Sequence, residues 1–307
     1  MWSQIPLLEN DLRVIDFKII DKDTLKVHWY KALSQNNNPT GAIAFFFGGG
    51  WSGGSYTHFN RQALYFSHRG FSTFLFDYRT ESKHNVSPVE CIKDARSAMR
   101  FLKKNHSKFN IDPQKIIASG GSAGGHIAAG TGTLNSVNES TDDLSIDPMP
   151  FSIVLFNPVF DNGPNGYHGN QAKKIIEDDF KCYCTAYKFQ NGKWASLFKK
   201  RYQELSPFHN ITTDIPPTLV MFGNCDYLVP VETVKEFEKK MKNLNNICQV
   251  AIFDNANHGF FNGVLEKVNQ KNLTQANYFF DTVQAADDFL VDLKLLESSV
   301  DVRDYFH

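Results

Sequence analysis

Gly120-Gly121-Ser122-Ala123-Gly124 sets a serine among glycines directly after the short apolar run Lys115-Ile116-Ile117-Ala118-Ser119. A strand that ends in a sharp turn and passes at once into a helix lifts a serine hydroxyl clear of the sheet, and side-chain-free neighbours let the helix pack close. Such a hydroxyl can be a nucleophile, but unaided it is a weak one and needs a base beside it. Two later loops offer the partners: Asp226 follows the apolar run 217–222, and His258 follows the run 248–253. A serine, an imidazole that takes its proton and a carboxylate that fixes the imidazole tautomer together perform acyl transfer. That chemistry also needs donors for an oxyanion. The apolar run 42–47 ends in Gly48-Gly49-Gly50-Trp51, whose bare backbone can turn amides toward a ligand. Gly49, Gly50 and Ala123 are the expected oxyanion hole, and one such donor is worth about 2.7–4 kcal/mol in the transition state.

Other residues compete for these roles. Asp161, after Phe156-Asn157-Pro158, and Asp254 are alternative acids. His126 lies four residues beyond the serine, inside the helix, and is expected to pack rather than react. Trp51 could stack on a sugar face or, equally, anchor its loop as a buried indole. His58, His84 and His168 have no ligand spacing, so no metal and no cofactor are expected.

The elements that must position these residues follow from periodicity. Runs 14–20 and 25–30 alternate and are split by Asp21-Lys22-Asp23, which reads as an antiparallel hairpin at a sheet edge. From Ala42 onward, continuous apolar runs at 42–47, 71–76, 115–119, 151–156, 217–222 and 248–253 alternate with helical stretches, the signature of a parallel sheet covered on both faces. Helices are expected over 56–68, 88–105, 123–131 and 277–296. The segment 161–206 is longer than a crossover needs and holds Tyr167, His168, Tyr183, Tyr187, Phe189, Trp194 and Phe198. It is expected to cap the serine, with Tyr187 and Trp194 as substrate-binding residues; the alternative is an appendage whose aromatics pack on the body.

Gly48-Gly49-Gly50-Trp51, Asp77-Tyr78-Arg79, Gly120 to His126, Asp226 with Pro230 behind it, and His258-Gly259-Phe260 span most of the chain. Together they resemble the esterase and lipase branch of the α/β-hydrolase superfamily whose oxyanion motif is His-Gly-Gly-Gly, especially its bacterial carbohydrate-ester hydrolases. The resemblance implies the α/β-hydrolase fold: a mostly parallel eight-stranded sheet, helices on both faces and a cap-like insertion. It implies a serine esterase acting through an acyl-enzyme on acetylated carbohydrate, acetyl xylan being the type, with feruloyl or aryl esters as the alternative. The chain departs from the pattern at Phe47, where many relatives have His, and at Gly121, where lipase-like members often have Asp. The first change removes a hydrogen bonder that braces the loop, not an oxyanion donor.

Two other classes stay open. Gly48 to Gly53 also fits G-x-G-x-x-G after a strand, with Asp77 at the end of the next strand as a ribose acid, the dinucleotide arrangement of an oxidoreductase. That reading leaves Ser122, Asp226 and His258 without a task. A hydrolase-fold binding protein with a silent site is the other.

A length of 307 residues with strand runs at even spacing reads as one domain, 1–307. A hydrophobic fraction of 42% and 27 Phe supply a large core. Net charge near −1 with mixed signs offers no face to nucleic acid or to an acidic membrane, so a small-molecule or oligosaccharide ester is the expected partner. Met1 to Pro6 holds no basic and no long apolar stretch, which fits a cytoplasmic chain or one whose export signal has been trimmed. Five cysteines without a C-x-x-C pair are expected as free thiols, the alternative being one bridge from Cys182 or Cys184.

Overall fold

The computed structural model describes residues 12–20, 23–33, 38–167, 194–226, 228–262 and 273–306. Eight strands form one sheet: β1 (Arg13–Ile20), β2 (Asp23–Tyr30), β3 (Thr40–Phe46), β4 (Ser72–Phe76), β5 (Ile111–Gly121), β6 (Ser152–Phe156), β7 (Thr218–Gly223) and β8 (Cys248–Phe253). The spatial order is β1-β2-β4-β3-β5-β6-β7-β8. The hairpin β1–β2 and the pair β2–β4 are antiparallel; every later pairing is parallel.

The continuous apolar strands are explained by what covers them. Along β3, Ala42, Ala44 and Phe46 face one core, while Ile43 and Phe45 face the other. The first face is covered by α3 (Pro88–Lys104), α5 (Ala123–Thr133) and α7 (Val231–Asn243), through residues such as Ile92, Ile127 and Phe237. The second is covered by α1 (Asn60–His68) and α8 (Leu273–Asp292), through Ala63, Tyr65, Phe279 and Val283. Short helices α2 (Glu81–His84), α4 (His106–Phe109) and α9 (Val302–Phe306) complete the set with α6 (Ala195–Leu205). The start of α3 is fixed by its sequence: Ser87 and Glu90 form a reciprocal capping box, and Pro88 fills the first turn, where no amide is needed.

Boundaries shift where local chemistry intervenes. The helix expected over 56–68 divides into a 3₁₀ turn, Tyr56–Phe59, and α1. Strand β5 begins at Ile111 rather than Lys115, with an irregularity in its pairing to β3 between Thr40 and Ala42. The segment 161–206 is described at its two ends. At the far end α6 lies on the body, with Phe198 fully buried against Trp51 and His126. Residues 168–193 of the expected cap, including Tyr187, lie outside the described residues.

Candidate active site

Parallel pairing brings the ends of β3, β5, β6, β7 and β8 to one edge, since Gly121 pairs with Phe156, Phe156 with Met221 and Gly223 with Phe253. Ser122 is the residue between β5 and α5, held at φ 54° and ψ −120°. That left-handed conformation is strained for a residue with a side chain and persists only because the surroundings fix it. Its amide donates to the Phe156 carbonyl and its carbonyl accepts from the His126 amide. The flanking glycines are required by close approach: a Cβ at Gly124 would collide with the Phe46 and Phe47 carbonyls, and one at Gly120 with the Gly124 carbonyl.

The three side chains read from the sequence stand in line. Ser122 Oγ is 2.8 Å from His258 Nε2, and His258 Nδ1 is 2.7 Å from Asp226 Oδ2. Asp226 is buried. Its Oδ1 accepts from the Leu228 and Val229 amides at 2.7 and 3.0 Å, and Oδ2 accepts from Asn157 Nδ2 at 2.9 Å. A carboxylate so surrounded by donors only accepts, so the His258 nitrogen facing it carries the proton and Nε2 is left to accept from the serine hydroxyl.

Neither competing acid reaches His258. Asp161 accepts from the Gly163 amide and faces His209 Nε2 at 3.0 Å, and Asp254 is hydrogen-bonded to Asn224. Residue types alone did not reveal Asn157. A buried side chain at φ 40°, it also takes the Gly223 amide on Oδ1 and donates to the His258 carbonyl. Strand β6 contributes none of the three aligned side chains, yet its end fills the gap between the serine strand and the acid strand.

The glycine loop faces the serine. A Cβ at Gly48 would lie 3.3 Å from Ser122 Cβ, so the loop fronts the nucleophile rather than a phosphate cradle at a helix start. Gly49 at φ 133° and Gly50 at φ 61° adopt backbone that side chains resist, and neither amide has a hydrogen-bond partner among the described residues. The Ala123 amide opens α5, whose first-turn N–H groups have no partner within the helix. The missing brace at Phe47 is replaced twice: its ring stacks on Tyr78 at 4.1 Å while Tyr78 Oη donates to the Phe47 carbonyl, and the Gly48 amide donates to His58 Nδ1 at 2.9 Å. Arg79, next in Asp77-Tyr78-Arg79, locks onto Asp94 of α3 with two hydrogen bonds of 2.8 Å.

The loop amides, Ser122 and His258 open onto a cavity of about 520 Å³, also lined by Tyr167, Leu228 and Phe261. Trp51 does not line it. The indole is 1% exposed and donates to His126 Nδ1 at 3.2 Å, while His126 Nε2 donates to the Leu205 carbonyl. The expectation of a sugar platform at Trp51 is therefore corrected to its alternative, a loop anchor, because the buried ring is held by His126 and Phe198. Trp194, half-buried at the head of α6, packs against the core and is not part of the described cavity wall. The free-thiol expectation holds at Cys91 and Cys248 and fails at Cys225, which is disulfide-bonded to a partner outside the described residues.

The BD-FAE family profile matches residues 30–241, and a dienelactone hydrolase family profile matches 199–284. An acetylxylan esterase of Xylanibacter ruminicola is 26% identical over 86% of this chain and 50% of its own length, and an esterase of Mycobacterium tuberculosis, LipC, is 25% identical over 72% and 53%. The chain thus spans about half the length of these curated relatives. Among solved structures, the native esterase 2 of Thermogutta terrifontis is 34% identical with a TM-score of 0.78, covering 93% of this chain and 94% of that one. The same enzyme with propionate bound gives 33% and 0.77 over 94% and 97%. With an eight-stranded, mostly parallel sheet, helices on both faces and a profile match over most of its length, the chain belongs to the BD-FAE family and has the α/β-hydrolase fold.

Proposed function

We propose that the chain is a carboxylic-ester hydrolase working through an acyl-enzyme, and that short acyl esters of carbohydrates are its substrates. The observation that carries this reading is the aligned set Ser122, His258 and Asp226, with Ser122, His258 and the unengaged amides of Gly49 and Gly50 on one cavity and Asp226 buried behind His258. Ser122 Oγ attacks the ester carbonyl as His258 Nε2 takes its proton, and Asp226 stabilises the imidazolium through Nδ1–H. The carbonyl oxygen, now an anion, is received by the amides of Gly49, Gly50 and Ala123. His258 returns the proton to the departing alcohol, and water then enters by the reverse route to release the acid.

The short acyl group is supported by the propionate and butyrate bound in the Thermogutta enzyme, and Tyr167, Leu228 and Phe261 supply apolar wall to the cavity that holds the serine. The carbohydrate alcohol rests on the acetylxylan esterase relative. A panel of p-nitrophenyl esters with acetylated xylo-oligosaccharides and methyl ferulate tests the reading. Acetyl release from the oligosaccharides, abolished in Ser122→Ala, is the expected result. Faster cleavage of methyl ferulate would move the substrate to aryl esters, and hydrolysis unchanged in Ser122→Ala would remove the serine from the reaction.

A further inference from the structure

We propose that His58 is a positioning residue that clasps the oxyanion loop to the loop carrying the catalytic base. The proposal rests on the acyl-enzyme reading above. His58 Nδ1 accepts from the Gly48 amide at 2.9 Å, and its Nε2 lies 2.5 Å from Asn262 Oδ1. Since one nitrogen accepts, the other carries the proton, so the ring is the neutral Nε2–H tautomer donating to Asn262. Burial holds this imidazole below its ordinary range, against the raising effect of the Asn262 hydrogen bond, and the charge that His258 acquires pushes it further down. The ring thus keeps its acceptor when His258 takes the serine proton.

The geometry makes this more than loop packing. A Cβ at Gly48 would meet His58 Cε1 at 3.1 Å and Ser122 Cβ at 3.3 Å, so the ring stands beside the nucleophile. Asn262 closes the turn after His258, its amide donating to the Gly259 carbonyl at 3.1 Å. One imidazole therefore joins Gly48, immediately before the two expected oxyanion donors, to the five-residue turn that begins at His258. The ring is steadied by Phe59 and Phe261, with centroids 4.9 and 5.4 Å away. By occupying the Gly48 amide, His58 also sets which amides remain for the anion: Gly49 and Gly50 and not Gly48.

Kinetics of three variants against p-nitrophenyl acetate, with side-chain ¹⁵N NMR of the free protein, test the clasp. His58→Phe keeps the ring volume and its aromatic contacts but neither hydrogen bond; a fall in kcat of roughly tenfold to a hundredfold with KM within about twofold is expected, because misplaced transition-state donors cost turnover. His58→Asn, whose short amide can set an oxygen near the place of Nδ1, should recover most of that loss. Asn262→Leu should lower kcat by itself and add little to His58→Phe. A change in KM alone, or equal losses in His58→Phe and His58→Asn, would reduce His58 to a wall residue and overturn the proposal. The NMR readout is independent of turnover: a neutral Nε2–H tautomer and a slowly exchanging Gly48 amide are expected, and a doubly protonated ring or a freely exchanging amide would refute the clasp. Should the wild type cleave no ester, the acyl-enzyme reading would fail while the spectrum still decided the clasp.

Discussion

Asp226 holds four donors at once, and that fact separates the roles of the residues around it. Asp226→Asn should leave KM nearly unchanged and lower kcat by about four orders of magnitude, since an amide there no longer fixes the proton on Nδ1. Asn157→Ala removes one donor and the tie to the His258 carbonyl. A fall in kcat of roughly tenfold to a hundredfold is expected from the displaced acid and base. Asp161→Asn, remote from His258, should stay near wild type; steady-state kinetics that reverse this ranking would place the acid at the end of β6. The alignment of Ser122, His258 and Asp226 was legible because glycines, strand ends and chain order constrain it. Asn157 was not: a polar residue before a proline reads as an ordinary turn, and its role exists only because β6 lies between β5 and β7. His58 escaped for a related reason, as ligand spacing is the wrong test for a residue that braces backbone. The one sequence signal for it was the vacancy at Phe47, which left the glycine loop in need of another acceptor.

Helix α5 carries the serine turn at its start and a buried histidine one turn on. His126 is 0% exposed, and burial pushes its pKa down from 6.5 to about 4, the Leu205 carbonyl opposing this only in part. The folded form therefore holds this ring neutral where the unfolded chain takes up a proton. Its contribution to stability is full above pH 6.5, declines as pH falls, and is gone near pH 4; the whole is roughly 3 kcal/mol. Urea midpoints measured between pH 7.5 and 4 should fall steeply for the wild type and less steeply for His126→Gln, and equal slopes would show that another group governs acid sensitivity. Trp51→Phe leaves His126 Nδ1 without its donor in a dry site, at a cost of about 1–3 kcal/mol in the same assay. KM for acetylated sugars should not move, because the indole faces α5 and α6 and not the cavity. At this scale the parallel strands and their burial on both faces were readable from continuous apolar runs, whereas the order of the strands in the sheet and the ends of elements were not. At the split before α1, Phe59 fits among Phe45, Phe156 and Phe261, a contact that no local pattern announces.

Across the whole molecule, two cores flank one sheet and the parallel strands deliver their ends to a single edge. That arrangement was inferable from the count and spacing of apolar runs, whereas the packing of α6 on the body at the far end of 161–206 was not, because that segment carries no strand period of its own. The cavity of about 520 Å³, lined by the glycine loop, by polar residues such as Thr57 and Asn262 and by Tyr167, Leu228 and Phe261, should accept acyl chains of two to four carbons and turn over those of eight or more at least about tenfold more slowly. Activity rising steadily with chain length on p-nitrophenyl esters would place specificity outside this wall. The central claim is that Ser122 becomes covalently acylated, and it is tested most directly by intact-mass and peptide mapping after treatment with paraoxon. The account predicts one diethylphosphoryl group per chain, located on Ser122, absent in Ser122→Ala and formed far more slowly in His258→Ala. Ester hydrolysis that persists in a protein with no such adduct, or with the adduct on another residue, would contradict it.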